Sequence, residues 1–189
     1  MPAAQLMRRR LLQPLGMTST TLPVPGAQSR GQLAPAFKRR AVQGYEPMGR
    51  PIGTPGDEGG AYDWPGSGQL FSSARDMAIF LAANLGALPD HRPLQDAMSF
   101  AQQGVFEVNP RFTQGLAWER MRNGDLTIID KNGGLDNAST FIGMIPQVRL
   151  GIVILINRGK QPATRIGRRI MLDIAGDNGP AVEEGNEGD

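Results

Sequence analysis

The sequence contains no cysteine and only one histidine, and these two features exclude several kinds of chemistry. Without cysteine, the chain has no disulfide framework, no thiol nucleophile and no cysteine-ligated metal site. With one histidine, a multi-histidine metal site or a histidine-based catalytic triad is hard to build. His91 lies in the turn-like stretch 88–93, where we expect a surface loop residue. We therefore predict neither a metal nor a cofactor.

The sequence also lacks long hydrophobic runs. No apolar run reaches the roughly 18 residues that a transmembrane helix requires, so no membrane span is predicted. No signal-peptide pattern is visible either, because the chain leads almost at once into Arg8-Arg9-Arg10. With 40% hydrophobic and 20% charged residues among 189, the composition is typical of a soluble globular domain with a sizeable core.

Charge is distributed unevenly along the chain. All 20 basic residues precede position 177, and the acidic residues from there on are Asp177, Glu183, Glu184, Glu187 and Asp189. We therefore divide the chain into a basic domain at 1–176 and an acidic tail at 177–189 that we expect to be disordered. A basic domain suits an anionic ligand. Neither Arg8-Arg9-Arg10 nor Lys38-Arg39-Arg40 is accompanied by a nucleic-acid recognition motif, so no nucleic-acid partner is predicted.

The spacing of hydrophobic residues predicts both helices and strands. Helices are predicted at 4–14, 73–84, 94–103 and 163–174, the second with the capping-box-like start Ser73-Ala74-Arg75-Asp76. Strands are predicted at 18–22, near 41–45, and at 115–121, 126–131, 139–145 and 150–157. The connections among the last four are mostly short, and Asn123-Gly124 is a hairpin signal, which indicates an antiparallel meander.

The last predicted helix has an amphipathic pattern. Ile166, Ile170 and Ile174 are spaced for one apolar stripe, and the basic residues that lie off this stripe are Arg165, Arg168 and Arg169. Together these elements predict an α+β fold, in which an antiparallel β-sheet meander packs against the last helix and the helices near 73–103.

Lys131-Asn132-Gly133-Gly134 is the most informative short motif, because it stands between two predicted strands. A lysine followed by a small polar residue and two glycines places a cation beside a backbone that a ligand can approach closely. The alternative is an ordinary Asn-Gly hairpin turn with Lys131 as a solvated edge residue. Asp130 precedes this motif, and we expect it to form at most a weak surface ion pair.

Five collinear segments resemble class C β-lactamases and related penicillin-recognising serine hydrolases. Residues 11–20 (LLQPLGMTST) are similar to the family segment LxxPLGMxxT, and residues 72–81 (SSARDMAIFL) to STAxDMAxFL. Residues 114–119 (QGLAWE) are similar to QGLGWE, and residues 150–157 (LGIVILIN) to LGIVMLAN. Residues 131–146 (KNGGLDNASTFIGMIP) resemble KTGSTGGFGSYVAFIP without a gap.

This resemblance implies roles for five residues. Lys131 takes the place of the family's third-motif lysine, which supports the proton network of the nucleophile and attracts the substrate carboxylate. Asn132 replaces a threonine or serine that contacts this carboxylate, and Gly133 follows it in the substrate-binding stretch. The backbone N–H of Gly134 matches an oxyanion-hole donor. Arg165 matches an arginine that holds substrate carboxylates, although a surface arginine is an equal alternative.

The family's other two motifs are missing from these residues. Its nucleophile is a serine in Ser-x-x-Lys, and its second motif is Tyr-x-Asn or Ser-x-Asn. No serine of this sequence is followed by lysine at the third position, and Tyr45 and Tyr62 are followed two residues on by Pro47 and Trp64. The sequence therefore resembles the C-terminal part of the fold, without an N-terminal strand and helix. We expect exposed hydrophobic surface and poor solubility.

Two functions remain open from the sequence. The first is a β-lactamase-related serine hydrolase of β-lactams or D-Ala-D-Ala peptides, here a fragment that is inactive alone and needs an upstream half of the same fold. The second is a non-catalytic, truncated or degenerate homologue that at most binds carboxylate ligands or a partner chain. The family resemblance implies peptidoglycan-like substrates and a periplasmic location.

Overall fold

The computed structural model describes residues 3–22, 33–56, 70–87 and 92–176. His91 and the tail at 177–189, whose environments were predicted above, lie outside these residues. The α-helices are α1 (Ala3–Met7), α2 (Pro35–Lys38), α3 (Ala74–Asn84), α4 (Arg92–Ala101) and α5 (Ala163–Ala175). The strands are β1 (Gly44–Tyr45), β2 (Pro51–Ile52), β3 (Phe106–Asn109), β4 (Phe112–Gln114), β5 (Glu119–Asn123), β6 (Leu126–Leu135), β7 (Ala138–Ile145) and β8 (Leu150–Ile156).

The chain divides into two compact units. One unit comprises Met1–Phe80, Gly133–Thr140 and Leu155–Gln161, and the other comprises Leu81–Asn132, Phe141–Ile154 and Pro162–Asp189. The strands β3 to β8 form a sheet in sequence order, and β1 pairs with β2 in a separate small sheet. The predicted α+β class, with an antiparallel meander and flanking helices, is confirmed.

In the first unit, the predicted helix 4–14 begins as α1 and continues as one π-helical turn, Arg8–Leu12. The predicted strand 18–22 is wrong, since only Thr21 makes an isolated bridge, with Phe71. The reason is the buried carboxylate of Asp76, which accepts hydrogen bonds from the Ser19 N–H and the Thr20 hydroxyl, each at 2.7 Å. These two residues bind a side chain rather than a neighbouring strand.

Helix α3 begins with the predicted cap. The N–H of Asp76 donates to the hydroxyl of Ser73 at 3.2 Å, as expected for a serine that precedes a helix. The Asp76 carboxylate does not complete a capping box with Ser73, because Oδ2 accepts from Ser19 and Thr20 instead. One acidic residue of the first turn thus connects α3 to the segment that follows the π-helical turn.

In the second unit, strands β3 and β4 were not predicted from the sequence. All four residues of β3 are exposed, so the strand has no alternation of buried and exposed positions that a pattern search could detect. The turn between β3 and β4 is made by Asn109, whose Oδ1 accepts hydrogen bonds from the N–H groups of Arg111 and Phe112 at 3.0 Å each. By contrast, the predicted Asn123-Gly124 hairpin is present, with Gly124 at φ 58°.

Helix α5 packs on β7 through small residues. A Cβ atom built on Gly167 would overlap the ring of Phe141, and one built on Gly143 would lie 2.8 Å from the Met171 side chain. The helix therefore approaches the strand more closely than alanine would allow. The buried core here includes Ile128, Met144, Ile145 and Leu172 in addition to Phe141 and Met171.

The apolar stripe predicted for this helix is not its buried face. Ile166, Ile170 and Ile174 are 39%, 37% and 64% exposed, whereas Arg168, predicted to lie off the stripe, is only 6% exposed. The buried face consists of Ala163, Thr164, Gly167, Arg168, Met171 and Leu172. The small residues permit the close approach to β7, and Arg168 finds a carboxylate partner in the interior.

Candidate functional site

Lys131, Asn132, Gly133 and Gly134 lie within strand β6 and not in a turn. The turn between β6 and β7 falls at residues 136–137, beyond both glycines. The alternative that Asn132-Gly133 forms a hairpin turn is therefore wrong. The motif is an extended segment, which presents its backbone amides along the strand.

Strand β6 runs past the end of β5. The pairing register joins Glu119 to Asp130, and β5 begins at Glu119, so residues 131–135 have no partner on β5. Because the β5–β6 hairpin closes tightly at Asn123 and Leu126, its hydrogen-bonded pairs recur at every second residue. By this alternation Asn132 and Gly134 direct their backbone groups toward the same side of β6 as the residues that pair with β5.

The two glycines of the motif differ in what surrounds them. A Cβ atom on Gly133 would lie 2.6 Å from Oγ1 of Thr140, whose hydroxyl donates to the Gly133 carbonyl at 3.4 Å. At Gly134 no atom of the described residues lies within 4 Å of such a Cβ. Both glycines are exposed, and a side chain at Gly134 would meet no atom of the described residues, whereas one at Gly133 would meet Thr140.

Lys131 carries the only charge of this motif, and it is held by a carboxylate. Its Nζ lies 2.6 Å from Oε1 of Glu119, and 47% of its side chain is exposed. Lys131 is thus neither an isolated edge residue nor a bare cation. Asn132 is partly buried beside it in the strand.

Asp130 does not form the expected surface pair. It is 1% exposed, and Arg168 binds both of its oxygens, with Nε at 2.7 Å from Oδ2 and Nη2 at 3.0 Å from Oδ1. Burial raises the pKa of the Asp130 carboxyl, and the hydrogen bonds and charge of Arg168 oppose this rise. Nη2 of the same arginine also lies 3.4 Å from Oε2 of Glu119.

Arg165 lies in the first turn of α5 and is exposed. No hydrogen bond or ion pair recorded among the described residues joins Arg165 to β6, so its role in binding carboxylates stays a prediction. Glu119, Asp130 and Arg168 were not predicted as site residues. The signal for Glu119 was present in the QGLAWE segment, but the resemblance attached no role to it.

Four of the described serines, Ser19, Ser72, Ser73 and Ser139, have hydroxyls in hydrogen bonds with other groups of the chain. The hydroxyl of Ser139 donates to the carbonyl of Arg158 and accepts from the N–H of Gln161, both at 2.9 Å. Ser73 caps a helix, and Ser72 bonds Thr20. The hydroxyl of Ser19 accepts from Nη1 of Arg40 at 2.9 Å.

Neither a metal centre nor a membrane helix is found in the described ranges. No group of three or more acidic or histidine side chains there is placed to hold a metal ion. No described helix has both the length and the apolar character needed to cross a bilayer.

Comparisons with known proteins agree with the predicted family. Residues 1–175 match the family model described as Beta-lactamase. A human protein described as putative beta-lactamase-like 1 is 27% identical over 182 residues, which cover 92% of this chain and 32% of that protein. A beta-lactamase of Lysobacter lactamgenus is 26% identical over 209 residues, covering 93% of this chain and 50% of the relative.

A solved structure extends this agreement to three dimensions. The beta-lactamase/D-alanine carboxypeptidase of Pseudomonas syringae has a TM-score of 0.72 and 25% identity, over 95% of this chain and 55% of the other. The chain belongs to the β-lactamase family. It spans about a third to a half of the length of the curated relatives that it matches.

Proposed function

We propose that this chain supplies one wall of a serine acyl-transfer site that acts on β-lactams or D-Ala-D-Ala peptides. The observation that carries the proposal is that β6 runs past the end of β5, so that the exposed residue Gly134 lies beyond the β5 pairing, three residues after Lys131. A strand edge with exposed amides and an adjacent cation suits a substrate that has a polarised carbonyl and a carboxylate.

Each residue of the wall has a separate role in this proposal. The Lys131 ammonium attracts the substrate carboxylate and supports proton transfer at the nucleophile. The amide of Asn132 donates a hydrogen bond to the same carboxylate. Gly133 has no side chain, so the substrate can approach the backbone of the strand closely. The N–H of Gly134 stabilises the oxyanion, for which one donor contributes about 10²–10³ in rate. Arg165 offers a second cation.

The nucleophile must come from elsewhere. The 189 residues contain no Ser-x-x-Lys or Tyr-x-Asn motif. We propose that these residues alone hydrolyse nothing, and that an upstream half of the same fold, on this or another polypeptide, brings the serine, lysine and tyrosine. The family resemblance favours a periplasmic location, where peptidoglycan is accessible.

A second candidate function is a non-catalytic homologue that binds carboxylate ligands or a partner chain without turnover. The ion pair between Lys131 and Glu119 favours it, because the cation is already partly neutralised. This candidate shares the binding wall but requires no upstream nucleophile.

Incubation of the purified chain with a chromogenic β-lactam and a fluorescent penicillin tests where the nucleophile resides. We expect no turnover and no covalent label, with the intact mass unchanged after prolonged incubation. A penicilloyl adduct on any serine of these 189 residues, localised by peptide mass spectrometry, would contradict the proposal that the nucleophile lies elsewhere.

A further inference from the structure

Four charged side chains of the second unit form a chain of alternating sign. It runs from Lys131 to Glu119 at 2.6 Å, from Glu119 to Arg168 at 3.4 Å, and from Arg168 to Asp130 at 2.7 Å. Exposure falls along this chain, since the side chain of Lys131 is 47% exposed and that of Asp130 is 1% exposed. The chain therefore connects a surface ammonium to a buried carboxylate.

The inner end of this chain is buried and held by two hydrogen bonds. Arg168 binds Asp130 through two parallel hydrogen bonds, which fix the plane of the guanidinium as well as its position. Its side chain is 7% exposed and lies on the face of α5 that packs against the sheet. A guanidinium fixed in this way offers its Nη2 to Glu119 from a constant direction.

The strand register explains why Glu119 can reach both cations. Glu119 is the first residue of β5 and pairs with Asp130, so Lys131 is the first residue of β6 beyond the end of β5. At this end no further β5 residue stands between the Glu119 carboxylate and the Lys131 side chain. One carboxylate oxygen accepts from Lys131 and the other lies beside Arg168.

We propose that Glu119 is a positioning residue for the Lys131 ammonium, and that the Asp130–Arg168 pair holds Glu119 in place. The functional meaning of this network rests on the proposed acyl-transfer role of Lys131, but the positioning itself does not. Glu119 fixes the ammonium at the point where β6 runs past the end of β5. Without Glu119, the four-carbon side chain of lysine would sample many rotamers in solvent.

Nitrogen NMR of the lysine ammonium groups tests this proposal without ligand or activity. The lysines of the chain are Lys38, Lys131 and Lys160, so an Nζ-selective proton–nitrogen spectrum contains few signals, and K131R assigns the relevant one. We expect a slowly exchanging Lys131 signal in the native chain. In E119Q this signal should broaden or be lost, because the ammonium loses its carboxylate partner. In R168K the signal should shift, because lysine lacks the planar guanidinium that holds Glu119.

E107Q is the matched control, since Glu107 lies on β3 and should leave the Lys131 signal unchanged. The backbone amide spectrum of each variant reports whether the fold is intact. An unchanged Lys131 signal in folded E119Q would overturn the proposal, and an unchanged signal in folded R168K would overturn the part assigned to Arg168. If R168K does not fold, E119Q still tests whether Glu119 positions Lys131. Glu119 is partly exposed, so we expect this variant to fold. If the Lys131 signal changes in the variants as expected but the chain does not bind a carboxylate ligand, the proposed function is rejected and the positioning of Lys131 by Glu119 stands.

Discussion

Arg168 and Asp130 are the single residues on which the stability of the second unit depends most clearly. Their paired side chains are 7% and 1% exposed. Removing one member of such a pair leaves the other buried without a partner, which generally costs about 3–5 kcal/mol. A surface pair at helical spacing, such as Arg169 with Asp173, contributes far less.

We therefore predict that R168M lowers the free energy of unfolding by about 3–5 kcal/mol, because Asp130 loses its partner. R169M, on the exposed side of the same helix, should cost less than about 1 kcal/mol. Urea denaturation followed by circular dichroism measures both values. Equal losses of unfolding free energy in R168M and R169M would show that the buried pair stabilises the fold no more than the surface pair does.

The raised pKa of Asp130 predicts a pH dependence of stability. Because the folded state holds this proton more tightly than the unfolded state, the contribution of Asp130 is fully present below the ordinary pKa of aspartate, about 3.9. It is lost as pH rises through the raised value. The unfolding free energy of the native chain minus that of D130N should therefore fall with rising pH in this window. A difference that rises with pH would contradict the assigned direction.

Helix α5 and strand β7 show, at the scale of elements, what a sequence can and cannot predict. Their existence and approximate bounds follow from periodicity, and both are confirmed. The buried face of α5 was wrongly predicted, since three isoleucines at helical spacing were a stronger pattern than two small residues and an arginine. The buried face is set by Gly167 against Phe141 and by Arg168 with Asp130, both contacts between segments distant in sequence.

The close approach of α5 to β7 gives a prediction for Gly167. Alanine is favoured over glycine in a helix interior by about 1 kcal/mol. Overpacking of a buried site generally costs about 1–3 kcal/mol, and the added Cβ would overlap the Phe141 ring. We expect G167A to be net destabilising, and F141L to recover part of the loss in the double variant. A thermal melt in which G167A is more stable than the native chain would contradict this packing.

Strand β6 shows, for the candidate site, which features a sequence can predict and which it cannot. The Lys131-Asn132-Gly133-Gly134 motif and its family resemblance were visible in the sequence, but a turn and a strand were equally open. The register with β5, which ends at Glu119 and Asp130, decides between them. The partner of Lys131 could not be predicted, because Glu119 is 12 positions away and nothing in the local patterns links the two residues.

For the whole molecule, the central fact is that the chain covers about half of the solved structure that it resembles. The exposed large apolar side chains include Phe100, Val105, Phe106 and the isoleucines of α5, but the expectation of an uncovered hydrophobic surface stays a prediction. Poor solubility stays a prediction. In our proposal, the part of the fold that this chain supplies includes the lysine wall, and the nucleophile wall belongs to the other part.

Titration of the isotope-labelled chain with N-acetyl-D-alanyl-D-alanine tests the central proposal most directly, since it asks whether β6 binds a carboxylate peptide. We predict chemical-shift changes centred on the backbone amides of Asn132 and Gly134. These changes should be lost in K131Q and retained in the control K160Q. Absence of changes along β6, or changes that persist unaltered in folded K131Q, would contradict the assignment of this strand as a substrate-binding wall.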